Sequence, residues 1–171
     1  MDLIVPGSSK SRIRDLQEKI AGYIRKGSSA SFITWDILGG KSFMSKEPVS
    51  TLDFLAVSNS GITMQSAINL ASILDIPMKD MADLLNVSYK TISRKKNTDL
   101  LDELSSSLII EIAGTIATGL ALFEDAEKLR RWLKKENKAL MGKKPIELLN
   151  TPTGIKLVNN ILHRIEEGIY T

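Results

Sequence analysis

Between Asn86 and Lys96 the sequence reads NVSYKTISRKK, a run with a tyrosine, three small hydroxyls and four cations but no carboxylate. Cations, hydroxyls and amides hydrogen-bond to base edges and neutralise phosphates, so the chemistry of this stretch is the gripping of a polyanion. Tyr89, Lys90, Ser93, Arg94 and Asn97 fall on the face opposite Val87 and Ile92 when the run is wound as a helix. Arg94 is placed to read a base, because a bidentate arginine on guanine gives about 1 to 3 kcal/mol of discrimination. Lys90 and Lys96 are assigned to phosphates. Ser88 precedes the helix as its cap and leaves the first-turn amides free for another phosphate.

Little else in the chain offers reactive chemistry. There is no cysteine, which excludes disulfides and thiolate metal sites, and the single histidine, His163, cannot build a histidine zinc site. His163 has Glu166 and Glu167 within helical reach and reads as a surface residue. LGGKS, Leu38 to Ser42, resembles the end of a phosphate-binding loop, but Trp35 stands where the first glycine of that loop is needed, which leaves an ordinary glycine turn. No nucleophile is paired with a base. The expectation is a protein that binds rather than catalyses, with no metal and no cofactor.

The elements that would position the basic run are those of a helix-turn-helix. That motif needs a small residue where two short helices meet, apolar residues at set positions, and a turn residue that tolerates positive φ. Counted from Met78, Ala82 is the small contact, Met81, Leu85, Val87 and Ile92 are the apolar set, and Asn86 is the turn residue. The spacing predicts helices over 78–85 and over 88 to about 96. Lys95 stands where an apolar residue normally closes the motif, so the helix end frays or the lysine stem snorkels.

Helical periodicity extends over most of the 171 residues, and the fold class expected is all-α. Ile13, Leu16, Ile20, Tyr23 and Ile24 make one apolar face that stops at Gly27. SFITWDIL, Ser31 to Leu38, reads equally as a short helix or a strand. Ser50 is the expected cap of a helix ending near Gly61, and Thr63 that of the helix stopped by Ile76 and Pro77. A long apolar helix runs from Ser105 to Phe123. Its most apolar window, Leu108 to Phe123, contains Glu111 and is shorter than a bilayer span, so it reads as buried in protein, with no membrane association. Gly114, Ala117 and Ala121 on that helix would let another helix approach closely, as an intramolecular crossing or as a subunit interface. Asp125 caps the next helix, Thr151 and Pro152 start the last one, and Gly168 is its left-handed stop. Trp132 and the leucines of this region are expected in the core. No secretion signal follows Met1, and a cytoplasmic protein is expected. The net charge is only +3, so the distribution of charge, not its total, argues for a polyanionic partner.

The C-terminal segment carries Trp132-Leu133, Asn137, Leu140, Gly142, Pro145, Leu148-Leu149, Thr151, Gly154, Arg164-Ile165-Glu166 and Gly168 at a spacing that resembles the toxin-binding domain of Xre/MbcA/ParS antitoxins, in particular Xre antitoxins paired with RES-domain toxins. Ser105 to Ser107 and Glu136 depart from that pattern. The resemblance, which begins near Pro48, implies an Xre-like helix-turn-helix domain over 48–104 and a toxin-binding domain over 105–171, and residues 1–47 are expected to form a helical N-terminal extension. It implies a partner, the cognate RES-domain toxin, an NAD-consuming enzyme whose active site the C-terminal domain masks. It also implies operator DNA, bound by the helix-turn-helix to repress the shared operon, and a homodimer is expected. By position, Arg164, Glu167, Gly168, Ile169, Tyr170 and Thr171 are the candidate toxin contacts, with Tyr170 the aromatic anchor. The competing reading is a stand-alone dimeric helix-turn-helix repressor whose C-terminal helices serve only dimerisation.

Overall fold

The computed structural model describes residues 29–50 and 52–169, together with 15, 18, 19 and 22. The apolar face of Ile13, Leu16, Ile20, Tyr23 and Ile24 and its stop at Gly27 lie outside the described residues. The fold is all-α, and an isolated bridge between Thr63 and Leu100 is all the β pairing found among the described residues.

The ambiguous stretch is helical: α1 spans Ala30–Leu38, with the Ser29 hydroxyl accepting from the Phe32 amide. Tertiary burial decides the ambiguity, since Ile33, Trp35, Ile37 and Leu38 are all buried. Gly39 and Gly40 then take positive φ, at 130° and 59°, and Gly40–Ser42 makes a single 3-10 turn where the phosphate-loop resemblance lay. The Trp35 indole N–H donates to the Met44 carbonyl at 2.8 Å and ties this turn down.

Helix α2, Asp53–Ser60, starts two residues later than expected from Ser50 as its cap. Ser50 does accept from the Leu52 amide, but the stronger anchor is the Asp53 carboxylate, which accepts from Ser50 and Val49 at 2.9 and 2.7 Å. Those two amides hold its carboxyl below the ordinary value. Helix α3, Met64–Leu74, has Thr63 at its cap position but without a side-chain cap bond. Its first donors go to main-chain carbonyls instead: Met64 to Asp99 and Gln65 to Asn97, each at 2.9 Å. The cap expected from sequence is thus replaced by a distant segment, which only the folded chain brings near.

Helices α4, Met78–Leu84, and α5, Tyr89–Ser93, flank a turn in which Asn86 is left-handed at φ 55°. Helix α6, Glu103–Phe123, is the centre of the molecule, and α1, α2, α3, α7 (Ala126–Leu133) and α8 (Pro152–Glu166) all pack on it. At 21 residues it is long and apolar enough to cross a membrane, longer than the window read from sequence, yet more than half of its apolar 18-residue stretch is buried inside this fold. Its small residues serve crossings within the chain. Gly114 faces Thr34 of α1, Ala117 is fully covered, and Gly119, which sequence reasoning passed over, lies so near Leu129 that a Cβ would stand 2.6 Å from its methyl. Ala121 is exposed.

Asp102 caps α6 by accepting from the Ser105 amide and hydroxyl, each at 2.8 Å. Partial burial pushes the Asp102 carboxyl up, but the Ser105 bonds, the Asp102 backbone amide and the Lys95 charge outweigh it and hold the group below its ordinary value. Its contribution is therefore complete above the ordinary carboxylate range and is lost as pH falls through the lowered folded value. Asp102→Ala should cost about 1 kcal/mol at neutral pH. Urea unfolding of both proteins should show the gap close on acidification; a gap that does not change with pH would contradict this role.

Candidate functional site

The helix-turn-helix is built as its residues require. Met81 and Ala82 are fully buried, Leu85 and Ile92 nearly so, and Val87 is half-buried with its amide on the Ala82 carbonyl. The Ser88 hydroxyl accepts from the Thr91 amide at 3.1 Å and pairs with the Thr91 hydroxyl at 2.7 Å. Tyr89, Lys90, Ser93 and Arg94 are exposed together on the outer side of α5.

The second helix does not run to Lys96. It ends at Ser93 with Arg94 as its C-cap, because the following residues are recruited elsewhere. The Lys95 ammonium donates to the Leu100 carbonyl at 2.9 Å, the Lys96 amide donates to the Asp99 carboxylate, and the Asn97 amide group donates to the Gln65 side chain at 3.0 Å. This turn caps α3, so Lys96 and Asn97 sit beside the exposed face of α5 rather than on it, and the Lys95 stem is half-covered rather than frayed.

The C-terminal part is positioned by caps. Asp125 accepts from Glu127 and Lys128, starting α7, and Thr151 accepts from Gly154, starting α8 behind Pro152. Helix α8 closes in a Schellman motif: the Gly168 amide donates to Ile165, the Ile169 amide to Arg164, and Gly168 is left-handed at φ 72°. Arg164, Glu167, Gly168 and Ile169 are all exposed at this end; Tyr170 and Thr171 lie outside the described residues. His163 is exposed and stands 3.5 Å from Glu166.

Sequence reasoning missed a cleft of about 340 Å³ at the same end. Its lining is mostly apolar, with Phe123, Trp132, Ile161, Ile165, Ile169 and Ala139 joined by Asn137 and Arg164. Trp132 is therefore not a core residue. It is half-buried, stacked at 5.7 Å and a 41° tilt on Phe123, while Leu133, Leu140 and Leu149 take the buried positions. Phe123 closes α6 and Trp132 lies in the last turn of α7, so their meeting depends on the tight turn at Glu124, which is left-handed at φ 53°.

The two regions are hydrogen-bonded to each other. The Asn86 amide donates to the Asn150 carbonyl at 2.7 Å, directly linking the helix-turn-helix turn to the start of α8. On the opposite edge, buried Arg130 donates to the Ile73 carbonyl at 2.7 Å and pairs with Glu127, and the Lys134 ammonium donates to Asp75 at 2.9 Å. Both cations cap the C-terminus of α3, where a helix dipole favours positive charge.

Residues 118–168, which contain α7, α8 and nearly the whole cleft, match the antitoxin Xre/MbcA/ParS C-terminal toxin-binding domain. The chain is also similar to the Prs ADP-ribosylating antitoxin of Sphingobium sp. (strain YBL2), at 26% identity over 131 residues, covering 71% of this chain and 82% of that one. This all-α chain therefore carries at its C-terminal end the toxin-binding domain of the Xre/MbcA/ParS antitoxins, and its similarity to an antitoxin along most of its length supports an antitoxin role with a toxin as partner.

Proposed function

We propose that this antitoxin neutralises an RES-domain, NAD-consuming toxin by masking its active site with the C-terminal end of α8 and the residues after it, and that as a homodimer it represses its own operon through α5. The observation that carries the first half is the coincidence of the toxin-binding domain match with an exposed, firmly capped helix end beside an apolar cleft. The name of the relative joins an antitoxin to ADP-ribosylation, a chemistry that consumes NAD, and so supports an NAD-consuming enzyme as the partner. For the second half the support is the exposed group of Tyr89, Lys90, Ser93 and Arg94, which has no acid among it. Lys96 and Asn97, just past the helix, are assigned to the DNA backbone, and Ser88 to the positioning of the helix start.

One set of strains tests both halves. Co-expressing the chain with the RES-type enzyme encoded beside its gene should restore growth, and Arg94→Ala should restore it equally. The same variant should lose about tenfold in preference for operator over scrambled DNA, whereas Lys90→Ala should weaken both DNAs alike and reduce the salt slope by about 1. Operator binding without rescue of growth would favour the stand-alone repressor. Identical behaviour of the two variants on DNA would defeat the division of labour on α5.

A further inference from the structure

We propose that the cleft beside α8, together with the loop closed by Asn137 and Lys143, is a receptor for an apolar side chain that projects from an acidic face of the toxin. This rests on the antitoxin reading and adds a second, reciprocal contact: the toxin receives the end of the antitoxin, and the antitoxin receives a knob of the toxin. The cleft lies at the small end of the range for ligand sites, which suits one or two side chains better than an extended cofactor. Its lining is an aromatic pair and three isoleucines, with Asn137 and Arg164 as its polar members. A mostly apolar lining with a few polar groups is what interface anchor pockets show.

The loop beside it is built to present a side chain. The Asn137 amide donates to Lys143, the Gly142 amide donates back to Asn137, and the Asn137 side chain accepts from Ala139. Held by these bonds at φ 56°, Met141 is 90% exposed. A flexible, polarizable thioether standing free next to an apolar cleft is suited to packing on a partner's surface.

Charge specifies the partner further. Residues 126–144 hold eight lysines and arginines against two glutamates, whereas the whole chain carries only +3. Arg130 and Lys134 are used inside the fold on the carbonyls of α3. Lys128, Arg131, Lys135, Lys138 and Lys143 remain exposed and outnumber the neighbouring exposed Glu124, Glu127 and Glu136, so the α7 side of the cleft is net positive. A carboxylate-rich protein face with an aliphatic or aromatic knob satisfies both features. A nucleic acid would satisfy the charge, but the two aromatic rings are half-buried against each other and the other apolar walls are branched isoleucines, which offer poor stacking for bases.

The test uses the full chain and the purified RES-domain enzyme encoded beside its gene, with affinity measured by calorimetry at two salt concentrations. Ala139→Trp fills the cleft from an exposed position, and Met141→Glu reverses the character of the loop tip. Each should weaken binding by on the order of tenfold with an unchanged melting temperature. Reversing Lys138 and Lys143 to glutamate should weaken binding more at low salt than at high salt. Wild-type affinity in Ala139→Trp and Met141→Glu, with the toxin still bound by the parent, overturns the cleft proposal and leaves the antitoxin reading standing. Absence of binding by the parent protein overturns both. Loss of binding to a single-stranded oligonucleotide in Ala139→Trp, with toxin affinity intact, would assign the cleft to nucleic acid and overturn the proposal.

Discussion

Removing Tyr170 and Thr171 should weaken inhibition of the toxin by on the order of 30-fold or more, since a side chain that anchors an interface contributes about 2 kcal/mol or above. The truncation leaves the stop of α8 whole: Gly168 keeps its amide on Ile165 and Ile169 keeps its amide on Arg164. Folding should therefore be unaffected, and the melting temperature should match the parent's. A shorter cut is preferable to one at Gly168, because Ile169 also lines the cleft and its loss would merge two effects. Titrating antitoxin against NAD consumption by the RES-type enzyme reads the result directly. Full inhibition by the truncated chain at equal concentration would show that the tail does not enter the toxin's pocket.

The largest effect on stability is expected from Gly154→Ala. A Cβ there would stand 1.9 Å from the Leu148 carbonyl oxygen and 2.8 Å from its carbon, with the Thr151 hydroxyl at 3.0 Å. The obstacle is main chain, which cannot swing aside as a side chain can, so either α8 or the 3-10 turn Pro145–Leu148 must move. Moving α8 also breaks the bond from the Gly154 amide to Thr151 that caps it. Overpacking costs about 1 to 3 kcal/mol and a lost cap about 1 more, so roughly 3 kcal/mol is expected. At this chain length that lowers the melting temperature by about 6 to 12 °C. Gly114→Ala is the control. Its Cβ would meet only the Thr34 hydroxyl at 3.9 Å, an ordinary contact, and alanine is favoured over glycine in a helix by up to about 1 kcal/mol. Scanning calorimetry should show the first variant melt well below the parent and the second at or above it. Equal losses would mean that helix propensity and contact distance had both been misjudged.

What could be read before the fold was known was the chemistry that operates within a few residues. Asn86 in the left-handed turn, Ser88, Asp125 and Thr151 as caps and Gly168 as a stop all act on neighbours two to four positions away, and each sits where its residue type dictates. Features that depend on distant partners were not legible. Thr63 lost its capping role because Asp99 and Asn97 deliver carbonyls to α3 from more than thirty residues along the chain. The basic helix stopped at Ser93 because the same segment had to turn back. Trp132 looked like core by composition, yet the turn at Glu124 sets it against Phe123 at the surface and opens the cleft. Arg130 carried no signal at all, since an amphipathic helix with several cations gives no hint that one of them is buried on a foreign carbonyl.

Because α1 lies along the central helix, with Thr34 over Gly114 and Ile33, Ile37 and Leu38 fully enclosed, the chain cannot be recombined as if its parts were beads. A chimera that borrows everything from Pro48 onward would inherit an oily scar down one flank of its axle. Such hybrids should clump in the cell unless the donor's own leading helix travels with them.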